Sequence, residues 1–222
     1  MLRADLHTHT YFSRDALTSP ERYVQACQKR GINCVAVTEH DNIAGALAVE
    51  KVAPFTVIMG EEVRTAEGEI IGLFLHEQVP GGLSPEETVR RIKEQGGLVV
   101  VPHPFDGFRG HLHEQSLQRI LPQVDAIEVF NARVVSRGDN ERAARLAAER
   151  GLPASAGSDA HSAWELGRTY VEMPEFQGPC EFLEALRRGR VVGRTSSPLV
   201  HLFSRWAAIR RRLGWRPVSA RA

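Results

Sequence analysis

Residues 5–10 of the chain read Asp-Leu-His-Thr-His-Thr. On an extended strand the side chains alternate between two faces, so His7 and His9 point the same way. Imidazole is the commonest metal-binding side chain, and a strand that carries His-x-His therefore offers two ligands to one ion. A single pair of this kind is a weak signal, because it also occurs on surfaces and in cores. The rest of the sequence has to decide whether the pair binds metal.

Acidic and imidazole side chains also follow five later apolar runs. The runs cover 34–38, 55–59, 98–102, 126–130 and 153–157, and the motifs after them are Glu39-His40-Asp41, Gly60-Glu61-Glu62, His103-Pro104, Asn131-Ala132-Arg133 and Ser158-Asp159-Ala160-His161. Short apolar runs suit strands that are buried on both faces, as in parallel sheets. Helical patterns separate the runs, at 20–30, 44–52, 85–95 and 142–150.

Strands that alternate with helices indicate an α/β fold with a parallel sheet. In such folds the functional site forms at the carboxyl ends of the strands, in open sheets and barrels alike. Every candidate ligand stands at that end of its strand. We therefore expect these side chains to meet in one site.

The composition fits one globular domain. The chain has 222 residues, 42% of them hydrophobic, and a formal net charge of +1. Barrels commonly contain ~200–250 residues in one unit. The near-neutral charge gives no overall electrostatic case for nucleic acid or membrane binding.

The cysteine count and the hydropathy pattern bear on location. Cys27, Cys34 and Cys180 are too few for a disulfide framework, which favours the cytoplasm. The N-terminus enters the first strand without an apolar leader, and no run of ~18 apolar residues occurs. We expect neither a secretory signal nor a membrane span.

Segment 63–76 interrupts the alternation of strands and helices. Gly68 stands where a tight turn needs glycine, so we expect an antiparallel hairpin at the barrel rim. We interpret Glu69 as a solvent-facing rim residue. A second His-x-His pair lies in loop 105–113, which we interpret as a mobile, substrate-facing loop rather than another metal site.

The ordered motifs resemble those of the PHP (polymerase and histidinol phosphatase) family, from the first residues to about Ser197. The resemblance implies a distorted (β/α)7 barrel that holds two or three divalent ions and hydrolyses phosphate esters. By position, the implied metal ligands are His7, His9, Asp15, His40, Glu62, His103, Asn131, Asp159 and His161. The implied first ion takes His7, His9, Glu62 and Asp159, the second takes Glu62 and His103, and the third takes Asp15, His40 and His161.

Two positions depart from the family pattern. Several members have histidine where this chain has Asp15, and some have histidine or cysteine where it has Asn131. An amide oxygen is a poorer ligand than either, so the second ion is bound more weakly or through water. The number of ions is left open between two and three.

Imidazole and carboxylate ligands without thiolate suit Mn²⁺, Zn²⁺ or Fe²⁺. Such ions, ~3.5–4 Å apart, lower the pKa of a bridging water, which yields hydroxide, and they bind the phosphate oxygens. We expect His40, His161 and Asp159 to be catalytic. We expect the substrate phosphate to be bound by Arg109, Arg133 and Arg168, since guanidinium matches phosphate bidentately.

The C-terminal stretch 198–222 is interpreted as a basic amphipathic helix and tail that follow a phosphoesterase domain at 1–197. Apolar residues recur at 199, 202, 203, 206, 209 and 213. Such a helix can bind membrane or nucleic acid. It can equally pack its apolar stripe on the barrel, and this is the arrangement that we predict.

Three functions fit these observations. The favoured one is hydrolysis of a small phosphorylated metabolite or nucleotide. The alternative is a 5'-3' exonuclease on short RNA or DNA. The basic tail and Arg133, Arg137 and Arg142 favour it, and the near-neutral charge opposes it. A non-catalytic interaction module is disfavoured because the ligand positions are filled, and histidinol phosphatase because such members tend to be longer.

Overall fold

The computed structural model describes residues 1–108 and 110–215, and of Arg137 the backbone alone. The elements in these residues are β1 (Leu2–Thr8), α1 (Pro20–Lys29), β2 (Cys34–His40), α2 (Ala44–Glu50), β3 (Thr56–Thr65), β4 (Gly68–Leu73), α3 (Pro85–Glu94), β5 (Leu98–Val101), α4 (Glu114–Ile120), a 3₁₀ turn (Leu121–Gln123), β6 (Ala126–Asn131), α5 (Arg137–Arg150), β7 (Ala154–Gly157), β8 (Thr169–Met173), α6 (Gly178–Arg187), β9 (Arg190–Gly193) and α7 (Leu199–Arg212).

These strands form one mixed sheet in the order β7-β6-β5-β4-β3-β2-β1-β8-β9. β1, β2 and β3 are parallel neighbours, and so are β5, β6 and β7. β4 is antiparallel to both β3 and β5, so the two parallel groups run in the same direction. β8 pairs antiparallel with β1, and β9 pairs antiparallel with β8. The carboxyl ends of the parallel strands therefore share one end of the sheet.

The sheet curls until β7 meets β1. The first residues of β1 pair with β8, whereas the chain after β7 bonds to the end of β1. His9 N donates to Ala160 O at 2.9 Å, and Asp159 N donates to His7 O at 2.7 Å. Gly157 permits this approach, since a Cβ there would lie 2.3 Å from His7 Cβ. The prediction of a distorted (β/α) barrel is confirmed, and the barrel closes at the end where the candidate ligands lie.

Local sequence signals account for the helix boundaries. Ser19 accepts a hydrogen bond from Arg22 N at 3.5 Å, and Ser84 accepts one from Glu87 N at 3.2 Å. A proline follows each serine, and its fixed φ suits the first turn of a helix. The helices predicted at 20–30, 44–52 and 85–95 lie within two residues of α1, α2 and α3.

α5 begins at Arg137, five residues before the predicted start. Its first turn is polar and lacks apolar periodicity, so the pattern did not reveal it. Asn140 in this turn accepts a bond from Asn131 N at 3.1 Å and donates to Asn131 O at 3.2 Å. These two bonds join the start of α5 to the end of β6.

The predicted hairpin is formed by β3 and β4, with Thr65 opposite Gly68. Gly68 has a φ of 124°, which favours glycine. The hairpin brings β4 back along β3, so that Glu69 lies opposite Arg64. Glu69 thereby returns to the end of the barrel that carries the ligands.

α7 packs on the barrel, but not through its apolar stripe as predicted. The buried residues on α7 are Val200, Ser204 and Ala207. Arg133 Nη2 donates to Val200 O at 2.8 Å and to Ser204 Oγ at 2.6 Å. A buried guanidinium needs such partners, so the face of α7 that carries Val200, Ser204 and Ala207 turns inward. Along the described residues, no helix is long and apolar enough to cross a membrane.

Candidate metal centre

The structure brings all nine predicted ligand positions together at the carboxyl end of the barrel. Seven lie at the ends of β1, β2 and β6 or just after β1, β5 and β7. Glu62 lies within β3, where the pairing with β2 ends, and Asp15 lies in the loop between β1 and α1. Most of the side chains are buried. Asp15 and His40 are the more open ones, with 27% and 11% of the side chain exposed. The cluster therefore opens to solvent on their side.

Glu62 lies at the centre of the cluster. Its Oε1 lies 3.4 Å from His7 Nε2 and 3.2 Å from His103 Nε2. Its Oε2 lies 3.1 Å from His40 Nδ1 and 3.5 Å from His9 Nε2. Each carboxylate oxygen thus faces a different pair of imidazoles, so Glu62 borders histidines from all three predicted ligand groups.

Asp159 completes the first group of ligand atoms. Its Oδ1 lies 3.7 Å from His7 Nε2 and 3.4 Å from His9 Nε2. Two ligand atoms that bind one ion at about 2.1 Å in tetrahedral geometry lie roughly 3.4 Å apart. The spacing of these atoms and of Glu62 therefore fits one divalent ion.

The third predicted group is also assembled. Asp15 Oδ2 lies 3.2 Å from His161 Nε2 and 3.7 Å from His40 Nε2. His161 Nδ1 is 2.9 Å from the backbone oxygen of Asp159, to which it can only donate, so Nε2 keeps its lone pair for an ion.

Hydrogen bonds behind the cluster set the tautomers of His7 and His9. Glu128 Oε1 accepts from His7 Nδ1 at 3.0 Å. Ser13 donates its hydroxyl hydrogen to Glu39, so it accepts from His9 Nδ1, at 3.2 Å. In the neutral form, each ring then turns the lone pair of Nε2 toward the carboxylates. These Nε2 atoms are buried and have no hydrogen-bond partner in the described part of the chain, which fits ligands for a cation.

Charge is unevenly distributed in the metal-free cluster. Burial, reinforced by the neighbouring charges of His161 and His40, lowers the pKa of His9 to about 3. Burial also opposes charge on His40, but Glu62 and Asp15 outweigh it and raise the pKa of His40 to about 10. Burial likewise opposes ionisation of Glu62, yet the imidazoles of His7 and His40 hold its pKa well below the usual value.

Metal uptake should therefore strengthen as the pH rises and should release protons. His7 and His40 have pKa values above the usual one, so both carry a proton at neutral pH that an ion must displace. His9, with a pKa of about 3, is already neutral. Calorimetric titrations with Mn²⁺ at about pH 6.5 and 8, in buffers of different ionisation enthalpy, measure both effects. An affinity that does not change between these pH values would contradict the assignment of His7 and His40 as ligands.

Two of the candidate ligands have strained backbones. His103 has a φ of 26° and Asp159 a φ of 52°, and two further non-glycine residues in the described part have positive φ. Such conformations cost on the order of 1–3 kcal/mol each and cluster at functional sites. Here His103 faces Glu62, and Asp159 faces His7 and His9.

Three buried carboxylates that the sequence analysis did not single out support the ligands. Glu128 accepts from His103 N at 2.8 Å as well as from His7, and Glu39 accepts from Thr10 N at 2.8 Å as well as from Ser13. Asp5 accepts from the backbone N and the hydroxyl of the residue before Asp159, at 2.8 and 2.6 Å. Burial raises the pKa of Glu39 and Asp5 to about 7 each.

Replacing Glu128 with Gln should weaken metal binding about 10–100-fold. In Gln, one of the two oxygens becomes an NH₂ group, which cannot accept a hydrogen bond. The bond that fixes the tautomer of His7 is then lost. Competition with a chromogenic chelator measures the change. Glu149→Gln on α5 is the matched control, because Glu149 is exposed and does not line the cleft that contains the cluster. Equal affinity for the metal in both variants would show that Glu128 does not support the ligands.

Asn131 does not present its oxygen to the cluster. Its Oδ1 accepts from Arg133 N at 2.9 Å, and its Nδ2 donates to Glu128 at 3.1 Å and to Asp159 Oδ2 at 3.1 Å. These bonds fix the orientation of the amide, because a carboxylate can only accept and a backbone N–H can only donate. The geometry argues against the expectation that Asn131 is a metal ligand and makes it a residue that positions Asp159.

Glu69 belongs to the cluster, contrary to its interpretation as a solvent-facing residue. Its side chain is 12% exposed, and Oε2 lies 3.9 Å from His103 Nε2. One of its oxygens lies within 4.8 Å of ligand atoms of His40 and Glu62. Burial and the charge of Glu62 raise its pKa. The hairpin brings it there, which a motif search along the chain cannot show.

The cluster opens into a cleft of about 530 Å³. The further side chains that line it include Arg64, Phe108, Val135, His201 and Arg205. Loop 105–113 contributes Phe108 and Gly110, and the neighbouring wall is α7. The sequence analysis missed Arg64 and Arg205, because neither follows a motif at a strand end.

The predicted phosphate-binding arginines have different positions. Arg133 lines the cleft, but its guanidinium is buried and bonded to α7, with Nε 3.3 Å from Glu165 Oε1. Arg168 lines a separate cavity with Arg30 and Trp164, so the expectation that it binds phosphate at the cluster is not supported. Arg109 lies outside the described residues.

The fold is a mixed α/β barrel, and the buried histidines and carboxylates at one end of it fit a metal centre. The model of the PHP domain matches residues 5–125, and a PHP-associated model matches 137–191. The chain belongs to the PHP family, as its motifs predicted. Uncharacterized protein MJ1587 of Methanocaldococcus jannaschii is 41% identical over 144 residues, which are 59% of this chain and 82% of MJ1587.

Solved structures share the fold at low identity. A two-domain protein of Bacteroides vulgatus, described as containing a predicted PHP-like metal-dependent phosphoesterase, has a TM-score of 0.70 and 20% identity. The lesion-specific endonuclease Q of Pyrococcus furiosus has a TM-score of 0.68 and 18% identity. The matches cover 87% and 89% of this chain, but only 65% and 59% of those two chains.

Proposed function

We propose that this protein is a metal-dependent phosphoesterase that hydrolyses the phosphate ester of a small phosphorylated metabolite or nucleotide. The observation that carries the proposal is Glu62, whose two oxygens face two different pairs of imidazoles at 3.1–3.5 Å. A carboxylate in this setting suits two adjacent divalent ions, and paired ions are typical of phosphoryl-transfer sites. Membership of the PHP family supports the same reaction class.

The arrangement supports three ion positions. We assign the first ion to His7, His9, Glu62 and Asp159, the second to Glu62, His103 and Glu69, and the third to Asp15, His40 and His161. Glu69 takes the role that the family pattern gave to the position of Asn131. Nitrogen and carboxylate oxygen ligands suit Mn²⁺, Zn²⁺ or Fe²⁺.

Bound ions would activate water and polarise the phosphoryl oxygens. The chain itself orients the substrate and handles its protons. Arg64 and Arg205 at the cleft wall are placed to bind phosphate or neighbouring anionic groups of the substrate. His40 and His161 border the open side, and either can give a proton to the leaving oxygen if the third ion is absent.

The dimensions of the cleft favour a small substrate over a polymer. A volume of about 530 Å³ lies within the ~300–1,000 Å³ of small-molecule sites. The exonuclease remains the alternative, supported by Arg205 beside the cluster and by the fold shared with endonuclease Q. The cytoplasmic location and the division into 1–197 and 198–222 remain predictions.

A hydrolysis screen with Mn²⁺, Zn²⁺ or Fe²⁺ tests the proposal. Nucleoside mono- and bisphosphates, sugar phosphates, histidinol phosphate and short oligonucleotides are compared by release of phosphate or nucleotide. We expect the highest kcat/KM on a small ester, with little dependence on salt. Faster turnover of oligonucleotides with a steep salt dependence would favour the exonuclease. No metal-dependent hydrolysis of any substrate would contradict both.

A further inference from the structure

α7 exposes a stripe of large apolar side chains away from the barrel. The stripe consists of Leu199, Leu202, Trp206, Ile209 and Leu213. These are five of the eleven large apolar side chains that are exposed in the described residues. Folded proteins rarely expose a contiguous apolar patch of this kind unless something binds it.

Helix geometry separates the stripe from the buried face. Its members are three or four residues apart, so at about 100° per residue they form one line along the helix. Val200, Ser204 and Ala207, which contact the barrel, lie on the opposite side. The barrel therefore contacts α7 through Val200, Ser204 and Ala207, and the stripe is exposed within residues 1–108 and 110–215.

Arginines border the stripe on both sides. By helical spacing, Arg205 and Arg212 lie along one border and Arg210 along the other. Arg210 is held over the rings of Trp206 and Trp215, at 5.1 and 4.6 Å from their centroids. The sequence has no Asp or Glu from position 199 to its end. A partner that binds the stripe must therefore be apolar in the middle and negatively charged at the edges.

A second copy of this chain does not meet that requirement. Two α7 helices paired along their stripes would place the bordering arginines of one copy against those of the other. Like charges in these positions oppose pairing. The interface of an anionic bilayer does meet it, because its acyl boundary accepts leucine and tryptophan while its phosphates lie at the height of the bordering arginines.

We propose that α7 binds the surface of anionic lipid bilayers and lies in the plane of the interface. The helix is about 21 Å long, and an edge-on contact between Phe203 and Trp164, with centroids 6.2 Å apart, extends the apolar surface onto the barrel. Arg205 lies beside both the stripe and the catalytic cleft. Docking would therefore hold the mouth of the cleft close to the bilayer. This inference is independent of the proposed phosphoesterase activity.

Flotation of the full chain with vesicles tests the proposal. We expect binding to phosphatidylcholine vesicles that contain about 30% phosphatidylglycerol and little binding to phosphatidylcholine alone. The pair Leu202→Asp and Ile209→Asp should weaken partitioning at least about tenfold. The pair Arg210→Gln and Arg212→Gln should weaken it about 25-fold, since each arginine contributes about fivefold.

The matched control is Leu47→Asp, at an exposed leucine on α2, which should bind vesicles like the wild type. Circular dichroism verifies that each variant is folded. Absent binding to anionic vesicles, or equal binding to neutral ones, would overturn the proposal. Detection by light scattering of a dimer that the aspartate pair dissociates would also overturn it. Oligonucleotide binding that the arginine pair loses and the aspartate pair retains, without vesicle binding, would assign the helix to nucleic acid.

Discussion

Replacing Glu62 with Gln is expected to lower kcat/KM by on the order of 10²–10³-fold and to remove more than one metal ion. The carboxylate faces His7 and His103 with one oxygen and His9 and His40 with the other. An amide keeps one oxygen and replaces the other with an NH₂ group that cannot bind a cation. Elemental analysis after reconstitution with Mn²⁺, together with initial rates, measures both losses.

Glu61→Gln is the matched control for this variant. Glu61 is the preceding residue on β3, and its Oε2 accepts from Val79 N at 2.8 Å, away from the histidines. Burial raises its pKa to about 8, so the group is already protonated at neutral pH and Gln changes its charge little. We expect the variant to keep its metal and its rate. Full metal content in Glu62→Gln, or equal losses in both variants, would refute the shared-ligand role.

The sequence could predict which candidate ligands meet, because two simple periodicities determine where they lie, whereas their assignment to ions came from the family resemblance. Alternation along β1 places His7 and His9 on one face. The carboxyl ends of parallel strands must meet, which brings Glu62 and Asp159 to the same end of the barrel. These relations hold without knowledge of side-chain packing, and the positions of these four residues follow from them.

The supporting contacts could not be predicted in the same way, because each joins residues that are remote in sequence. His7 and Glu128 are 121 residues apart, and only the register of β6 in the barrel brings them together. Glu69 enters the cluster because the hairpin reverses the chain. The orientation of Asn131 depends on three hydrogen bonds, two of them with Glu128 and Arg133. None of these contacts has a periodic signature.

The orientation of α7 shows a second reason why the sequence did not predict the packing. Its apolar stripe is the strongest helical pattern near the end of the sequence, and burial of that stripe was the natural expectation. The structure shows the opposite orientation, in which the guanidinium of buried Arg133 donates to Val200 O and Ser204 Oγ on the other face. A buried guanidinium needs such acceptors, which favours packing of this face against the barrel. A sequence pattern tells which side of a helix is apolar, but not what covers it.

Separate losses of single ions should distinguish the second and third positions. His103→Ala and Glu69→Gln are expected to lose the same ion, since His103 Nε2 lies 3.2 Å from Glu62 Oε1 and 3.9 Å from Glu69 Oε2. His161→Ala should lose a different ion, because His161 contacts Asp15 on the open side of the cluster. Metal content should then fall from three equivalents to two in each variant, as the proposed assignment of three ions requires.

The double variant of His103→Ala and Glu69→Gln supplies the decisive comparison. If both residues bind one ion, the double variant loses no more metal than His103→Ala alone. The two histidine variants should lower turnover by on the order of 10²–10³-fold, because each removes an ion that holds substrate or nucleophile. Their circular dichroism should match the wild type, since the ligands lie at strand ends rather than in the apolar core. Full metal content in Glu69→Gln would remove Glu69 from the ligand set and leave the second ion to Glu62, His103 and water.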